Sequence, residues 1–375
     1  MVETIVKGAP GHFDTGEGVL EQLLALLDTL AIKQFHVVAG VTAWQKTAPY
    51  LPEEVLVKAQ GNTTFLEGHC TLEVAEKIAS EASEKQVDAI IGIGGGTVLD
   101  TAKAAAALTG VKVVLIPSIA ATCAAWAPLS VFYDESGTFT HFTEFPEVNT
   151  LVLAEPAIIA EAPVRYLKAG IADTLAKYYE ARTLLDAFYE GQTLPVRIRI
   201  SQQAAELCKG VLLEDASGAI QAAEQGIVTD ALKRVTEKIF MAGGMVGGFG
   251  GKAGRVAAAH SIHNGLTAAP GTRKHLHGEL VAYGLLVQLA IEEDWQELDS
   301  LIEYYKTWGL PIRLSDLSVD VKDEALISQV VKKAVLPQES IHYMEQEITE
   351  ASVREAIKRV ESKTQHIETL EGELA

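Results

Sequence analysis

A chain of 375 residues, 48% hydrophobic and 22% charged, is too long for one ordinary core and too apolar for wholesale disorder, so two domains of roughly 150–200 residues are expected. Lys and Arg number 31 against 50 Asp and Glu, a net charge of −19, which disfavours nucleic acid and anionic membrane as partners. Three cysteines (Cys70, Cys123, Cys208) without CxxC spacing argue against a disulfide framework and a cysteine-rich zinc site.

The start, MVETIVKGAPGHF, lacks an apolar signal core, and no apolar run of about 18 residues follows, so a soluble, cytoplasmic protein is expected. Residues 18–30 have amphipathic helical spacing, with Val19, Leu20, Leu23, Leu24 and Leu27 apolar. FHVVAG is a short β-branched run ending at Gly40. Residues 73–83 are helical, DAIIGIGGG is a strand running into glycines, 97–108 is an Ala-rich helix, and VKVVLIPS is a strand closed by Pro117. This alternation predicts a parallel sheet with helices on both faces. Asp134-Glu135-Ser136-Gly137 between aromatic and β-branched runs reads as a hairpin turn, and LVLAEP as the last strand. Beyond Pro163 the strand signals nearly vanish. Segments 165–189, 195–214, 220–242, 253–268, 278–293 and 295–308 all favour helix. The boundary falls between Pro156 and Pro163. It gives an α/β dinucleotide-binding domain over 1–160 and an all-α metal-binding, catalytic domain over 161–375. The last thirty residues are Glu-rich and read as a solvated helix with a frayed end.

In IIGIGGGTVLDTAK a buried strand enters Gly94, Gly95 and Gly96, and a helix begins at once. Glycines let the backbone approach an anion, and the helix N-terminus supplies unpaired N–H groups, a cradle for pyrophosphate. The pattern is not GxGxxG and does not sit in the first βα turn, so a tight turn without ligand is the alternative. Asp100 either fixes this loop or approaches the nicotinamide, and Lys103 sits near phosphate; each is alternatively a surface charge.

Four of the ten histidines lie between 260 and 277: His260, His263, His275 and His277. His260 and His263 share a helix face, and His277 opens another helix. Two imidazoles and one carboxylate make a three-ligand catalytic site for a divalent metal, with a position left open. Asp173 is the best carboxylate, because it lies in AGIADTLAKYYEA, where an unpaired charge is costly. A single histidine would ordinarily be a hydrogen-bonded structural residue.

Together, GIGGGTVLDTAK, GIADTLAKYYEA and AAAHSIHNGL…HLHGELVAYG resemble the glycerol-dehydrogenase branch of the metal-dependent (iron-containing) alcohol dehydrogenases, up to about residue 310. The resemblance implies the dehydroquinate-synthase-like fold of that family, with the active site in the cleft between an α/β and a helical domain. It implies metal ligands at Asp173, His260 and His277, usually holding zinc. His263 matches a non-ligating histidine near the nicotinamide or on a proton path. Dinucleotide contacts fall on Gly94, Gly95, Gly96, Asp100, Ser118, Thr122, Leu129 and Val131. His275 matches no family role and reads as a surface residue. The chemistry implied is hydride transfer between a substrate carbon and nicotinamide C4, with the metal as Lewis acid.

Three positions depart from glycerol dehydrogenases. Cys123 stands where they carry an aspartate that bonds polyol hydroxyls; a thiol accepts poorly, and Trp126 beside it is expected to add bulk. Lys177 shares a helix face with Asp173, where other branches place a histidine ligand. It either receives a substrate carboxylate as a point charge or pairs with Asp173 or Glu180, and a tight pair with Asp173 would count against metal binding. Gly40 replaces the aspartate that bonds the adenine ribose 2′-OH. Its absence, with Thr42 and Lys46 nearby, makes NADP(H) plausible beside NAD(H), unless Gly40 only serves the turn. ATCAAW and DTLAKYYEA look most like the hydroxycarboxylate-dehydrogenase subgroup. The expectation is therefore a metal- and NAD(P)H-dependent homo-oligomer acting on a small-molecule 2-oxo acid/2-hydroxy acid pair, with NAD-dependent glycerol (vicinal diol) dehydrogenase as the alternative. A dehydroquinate-synthase-type enzyme would need several cations near the metal. Apart from Lys177, Arg273 and Lys274 the cleft segments lack them. A non-enzymatic nucleotide sensor that has lost its metal is the other class. The glycine-rich stretch 242–255 reads as a close helix contact or a flexible turn. Cys70 and Cys208 read as inert residues in helices, Tyr178 and Tyr179 as packing, and Trp44, Trp295 and Trp308 as core or interface.

Overall fold

Strand–helix alternation fills the first 160 residues of the computed structural model, which describes residues 6–374. The elements are β1 (Phe13–Thr15), α1 (Leu23–Thr29), β2 (Phe35–Ala39), α2 (Val41–Thr47), α3 (Glu53–Ala59), β3 (Thr63–Phe65), α4 (Leu72–Glu84), β4 (Ala89–Gly94), α5 (Gly96–Thr109), β5 (Lys112–Pro117), β6 (Leu129–Tyr133), β7 (Phe139–Glu144), β8 (Leu151–Ala154) and α6 (Pro156–Ala160). Six strands form a parallel sheet in the order β1-β8-β5-β4-β2-β3, and β6 pairs antiparallel with β7. Helices cover both faces, so the central strands are apolar on both sides. Val37, Ala39, Ile91, Ile93, Val114 and Ile116 face one core. Val38, Ile90, Leu115 and Val152 face the other.

The rest is helical: α7 (Val164–Tyr189), α8 (Val196–Glu224), α9 (Asp230–Glu237), α10 (Gly243–Gly250), α11 (Lys252–Arg255), α12 (Ala258–Leu266), α13 (His277–Ile291), α14 (Trp295–Trp308), α15 (Glu324–Ala334) and α16 (Glu350–Leu374). The second sheet core runs on into these helices through Leu175, Tyr179, Ile262 and Leu286. Start and stop signals are chemical. Thr71, Thr229 and Asp323 accept from backbone N–H groups at the starts of α4, α9 and α15, and Gly110 and Gly309 end α5 and α14 at positive φ. No helix of the described residues is long and apolar enough to cross a membrane.

Several expectations need correction. α8 is one continuous helix through the expected break at 215–219. Gly218 lies inside it, and a Cβ there would meet Ala231 at 3.4 Å, so the glycine marks packing rather than an end. The glycine-rich stretch makes the close helix contact expected of it: it holds α10, entered from a π-turn at Lys238–Ala242, and a Cβ at Gly250 would strike Ser201 of α8. Cys70 lies in a loop, although it is buried. The hairpin turn forms as expected, with Asp134 Oδ1 accepting from the Ser136 and Thr138 N–H groups and Gly137 at φ 80°.

Two close approaches fix where the site will lie. A Cβ at Gly170 of α7 would strike the Ala120 carbonyl oxygen, and one at Gly278 of α13 would strike the Ala169 carbonyl oxygen. α7 therefore sits against the loop after β5, and α13 sits backbone-to-backbone against α7, a separation only glycine permits.

Candidate active site

α7 carries Asp173, Lys177 and Glu180 on one face, at i, i+4 and i+7. All three are buried. Lys177 Nζ donates to Asp173 Oδ2 at 2.6 Å and to the Asp173 carbonyl oxygen at 3.3 Å. Of the alternatives open for Lys177, the ion pair with Asp173 is the one formed. Asp173 Oδ1 is left buried without a hydrogen-bond partner among the described residues. It faces His260 Nε2 at 3.4 Å and His277 Nε2 at 3.3 Å. Burial alone would raise the Asp173 carboxyl, but Lys177 and the two imidazoles outweigh it and hold the group well below the usual carboxylate range.

The protons on both imidazoles are dictated by their other nitrogens. Glu180 Oε2 lies 2.7 Å from His260 Nδ1, while its Oε1 accepts from the N–H groups of Ala257 and His260, at 2.7 and 3.0 Å, at the start of α12. One carboxylate thus caps a helix and fixes a ring. His260 Nδ1 is the donor, so Nε2 is the nitrogen that faces Asp173. Burial pulls His260 down, yet Glu180 and Asp173 push it up to about 9, so these two acids favour a positive charge here. On the other side, Asn264 donates to Glu339 at 2.9 Å and turns its carbonyl oxygen to His263 Nδ1 at 3.0 Å. His263 therefore donates from Nδ1 and accepts at Nε2 from His277 Nδ1, 2.9 Å away. His277 Nε2 is left with its lone pair facing Asp173. Burial, with His277 and His260 nearby, holds His263 well below its ordinary value and hence neutral.

Asp173 Oδ1 and the two Nε2 atoms converge within 4.8 Å of one another, and a cation there takes the place of the proton that the two acids favour on His260. Ligands at ~2.1 Å from a tetrahedral zinc stand about 3.4 Å apart. The 3.3 and 3.4 Å separations at Asp173 Oδ1 match that edge. The residues fit a divalent cation.

The triad opens on a cleft of about 1190 Å³ between the sheet and the helices. Gly95, Gly96, Ser118, Thr122, Leu129 and Val131 line the sheet side, facing Asp173, Lys177, His260, His263 and His277. Gly94 lies behind that wall, where Val98 occupies the space a Cβ would need. The N-terminus of α5 opens onto the cleft at Gly96, with Gly95 as its cap. Asp100 fixes the loop: Oδ2 accepts from Val131 N–H at 3.0 Å, and Oδ1 pairs with Lys103 at 2.8 Å. Lys103 neither lines the cleft nor lies on the surface. It is buried and donates to the carbonyls of Ala124, Ala127 and Leu129. Cys123 lines the cleft, and burial pushes its thiol up, so it stays uncharged. Trp126 adds no bulk there. Its indole is buried against Phe13 and Gly244 and donates to the Gly8 carbonyl. His275 is not a surface residue either: Nδ1 lies 3.3 Å from Glu279 Oε2 and Nε2 3.3 Å from Ser318 Oγ. Lys46 at the far rim lies 3.1 Å from Glu161.

Two residues went unassigned in the sequence. Glu180 appeared only as a partner for Lys177, although its place two turns beyond Asp173 in an apolar stretch carried the signal. Arg255, which lines the cleft, gave no local sign.

The family model described as iron-containing alcohol dehydrogenase matches residues 10–156. Hydroxycarboxylate dehydrogenase A of Escherichia coli (strain K12) is 43% identical over 295 residues, covering 79% of this chain and 80% of its own. Glycerol dehydrogenase of Thermotoga maritima is 36% identical, covering 93% of this chain and 94% of its own. Among solved structures, glycerol dehydrogenase from Schizosaccharomyces pombe superposes with a TM-score of 0.87 at 27% identity, covering 99% of this chain and 93% of that one.

Proposed function

The chain belongs to the iron-containing alcohol dehydrogenase family, a metal-dependent, NAD-binding family of oxidoreductases, and we propose that within it this enzyme interconverts 2-oxo acids and 2-hydroxy acids with NADP(H) or NAD(H). The observation that carries the choice of substrate is the uncharged Cys123 thiol in the cleft, where a polyol would need a strong acceptor. The similarity to a hydroxycarboxylate dehydrogenase supports it. We assign the cation, zinc by preference, to Asp173, His260 and His277. The bound cation supplies Lewis-acid polarisation of a carbonyl, and the nicotinamide supplies or accepts the hydride.

The protein's own residues do the rest. Lys177 holds Asp173 Oδ2 and so presents Oδ1 alone. Glu180 keeps the proton on His260 Nδ1, and His263 receives the proton of His277 Nδ1. Both rings are thereby held in the tautomer that leaves Nε2 free. Gly95 and Gly96, with the N-terminus of α5, take the pyrophosphate, while Gly94 makes room for Val98 behind them. Ser118, Thr122, Leu129 and Val131 line the course of the dinucleotide, with Asp100 bracing the loop. We divide the chain at 160/161. Three free cysteines fit a reducing, cytoplasmic setting, and the homo-oligomer expected from the family resemblance remains part of the proposal.

Use of NADP(H) rests on Gly40. Its backbone, φ −76° and ψ 142°, is ordinary extended chain. A Cβ there would only touch Ala43 and Val98 at 3.7 and 3.8 Å. The turn does not require glycine, so no folding reason keeps an acid out. Gly40→Asp is expected to cut the NADPH-over-NADH ratio of kcat/KM by about tenfold or more through repulsion of the 2′-phosphate, with unchanged melting. An unaltered ratio would show that the ribose end lies elsewhere. Glu180→Gln keeps the shape but weakens the hold on His260. A ten- to hundredfold loss in zinc affinity is expected, measured by titrating stripped protein.

A substrate panel tests the activity itself, with 2-oxobutyrate, 2-oxoglutarate and glycerol against both cofactors and nicotinamide absorbance as readout. Oxo acids should oxidise the reduced cofactor. Rapid glycerol oxidation with no oxo-acid turnover would establish glycerol dehydrogenase instead.

A further inference from the structure

The carboxylate of a 2-oxo acid needs a cation in the cleft, and Lys177 is committed to Asp173 at 2.6 Å. We propose that Arg255 receives the substrate carboxylate and sets the preference for acids over neutral carbonyls, an inference that rests on the oxo-acid reading above.

The placement comes from α10. Gly243 and Gly247 lie one turn apart on the same face of that helix. Lys177 Cδ and Cys123 Cβ lie 3.5 and 3.6 Å from the Cβ position of Gly243. Arg255 Cγ and Cζ lie 3.0 and 3.5 Å from that of Gly247. Arg255 therefore lies along the same wall as Cys123 and Lys177, one helical turn on, and all three line the cleft.

The bonding comes from the guanidinium. Its side chain is 21% exposed, and Nη2 reaches Glu144 Oε1 at 3.2 Å, at the foot of the β6–β7 hairpin. Nε is buried and has no hydrogen-bond partner among the described residues. A buried donor left unpaired is costly, and a guanidinium edge matches a carboxylate with two parallel bonds. Nε is closed off from solvent, so the substrate carboxylate meets the exposed Nη edge of the guanidinium, on the residue's cleft-lining side. Other cations are placed less well: the Lys46 side chain is more than half exposed, and Arg165 does not line the cleft. Arg273 lines the cleft from an exposed 3₁₀ turn.

The metal-loaded enzyme is assayed with 2-oxobutyrate and with hydroxyacetone, a small neutral ketone, in wild type and in Arg255→Met, Arg255→Lys, Glu144→Gln and Arg273→Met. Arg255→Met should lose ten- to hundredfold in kcat/KM for the acid, chiefly through KM. Its hydroxyacetone turnover should stay within about threefold, which also shows that the variant folds. Added guanidinium should restore part of the acid activity, and Arg255→Lys should fall between. Glu144→Gln removes the hairpin tether but leaves the guanidinium, so the acid preference should persist. An unchanged acid-to-ketone ratio in Arg255→Met overturns the inference while leaving the oxo-acid reading intact. So does an equal fall in both substrates shared by Arg255→Met and Glu144→Gln, or a loss of acid preference in Arg273→Met alone. A wild type that reduces no oxo acid overturns the reading and the inference together.

Discussion

Asp173→Asn is expected to lose at least about a thousandfold in turnover and most of the bound divalent metal. The carboxylate is buried, its Oδ1 is unpartnered, and both Nε2 atoms face it at 3.3 to 3.4 Å. An asparagine of the same shape removes the negative charge that draws a cation there and leaves Lys177 without its counter-ion. Lewis-acid assistance is worth several kcal/mol, and each ~1.4 kcal/mol is a factor of ten in rate. Metal content by mass spectrometry, turnover and a thermal melt are read on one preparation. A folded variant that keeps a full complement of metal and turnover within tenfold of wild type would remove Asp173 from the cation site.

Lys177→Met gives a second large effect, one that depends on the metal. Stripped of metal, the variant buries the Asp173 carboxylate, 2% exposed, with its nearest cation gone. Breaking a buried pair in this way costs about 3–5 kcal/mol. With zinc present, a cation again faces the carboxylate, and most of that loss should be recovered. The sign with pH follows from the depressed Asp173 carboxyl. A carboxyl lowered on folding contributes stability above its unfolded value, and that stability is lost as pH falls through the folded one. Removing Lys177 raises the folded value, so the stripped variant should begin to lose stability at a higher pH than stripped wild type. Melts with chelator and with zinc, across the acid range, test this. Equal destabilisation in both conditions would mean that Lys177 serves packing alone.

The convergence of Asp173, His260 and His277 was legible because each is a local anomaly: a histidine sharing a helix face with a second one, a histidine at a helix start, and an acid in an apolar run. The sheet was legible through β2, β4 and β5, mostly apolar strands of five or six residues. Strands β1 and β3 span three residues each. That is too short for a period to register, and they are strands only because β8 and β2 stand beside them. Lys103 was misjudged for a related reason. Nothing in an Ala-rich helix says that a distant loop will turn three carbonyls toward an ammonium. Trp126 and Arg255 likewise depend on α10, whose glycines record that something packs closely without naming it. Local patterns report what a residue does to its own helix or strand, whereas these roles are set by segments far away in sequence.

α7 concentrates three groups on one stripe of one helix: the proposed ligand Asp173, Lys177 bonded to it, and Glu180, the acid that orients the ring of His260. Each residue of an α-helix turns the chain by about 100°. A codon gained or lost between Gly170 and Asp173 would swing all three side chains out of the cleft while Gly170 still held the helix against Ala120. Point substitutions can adjust the chemistry one group at a time, but length change in this segment dismantles it at a stroke, so lineages carrying this site should vary α7 in spelling and never in residue count.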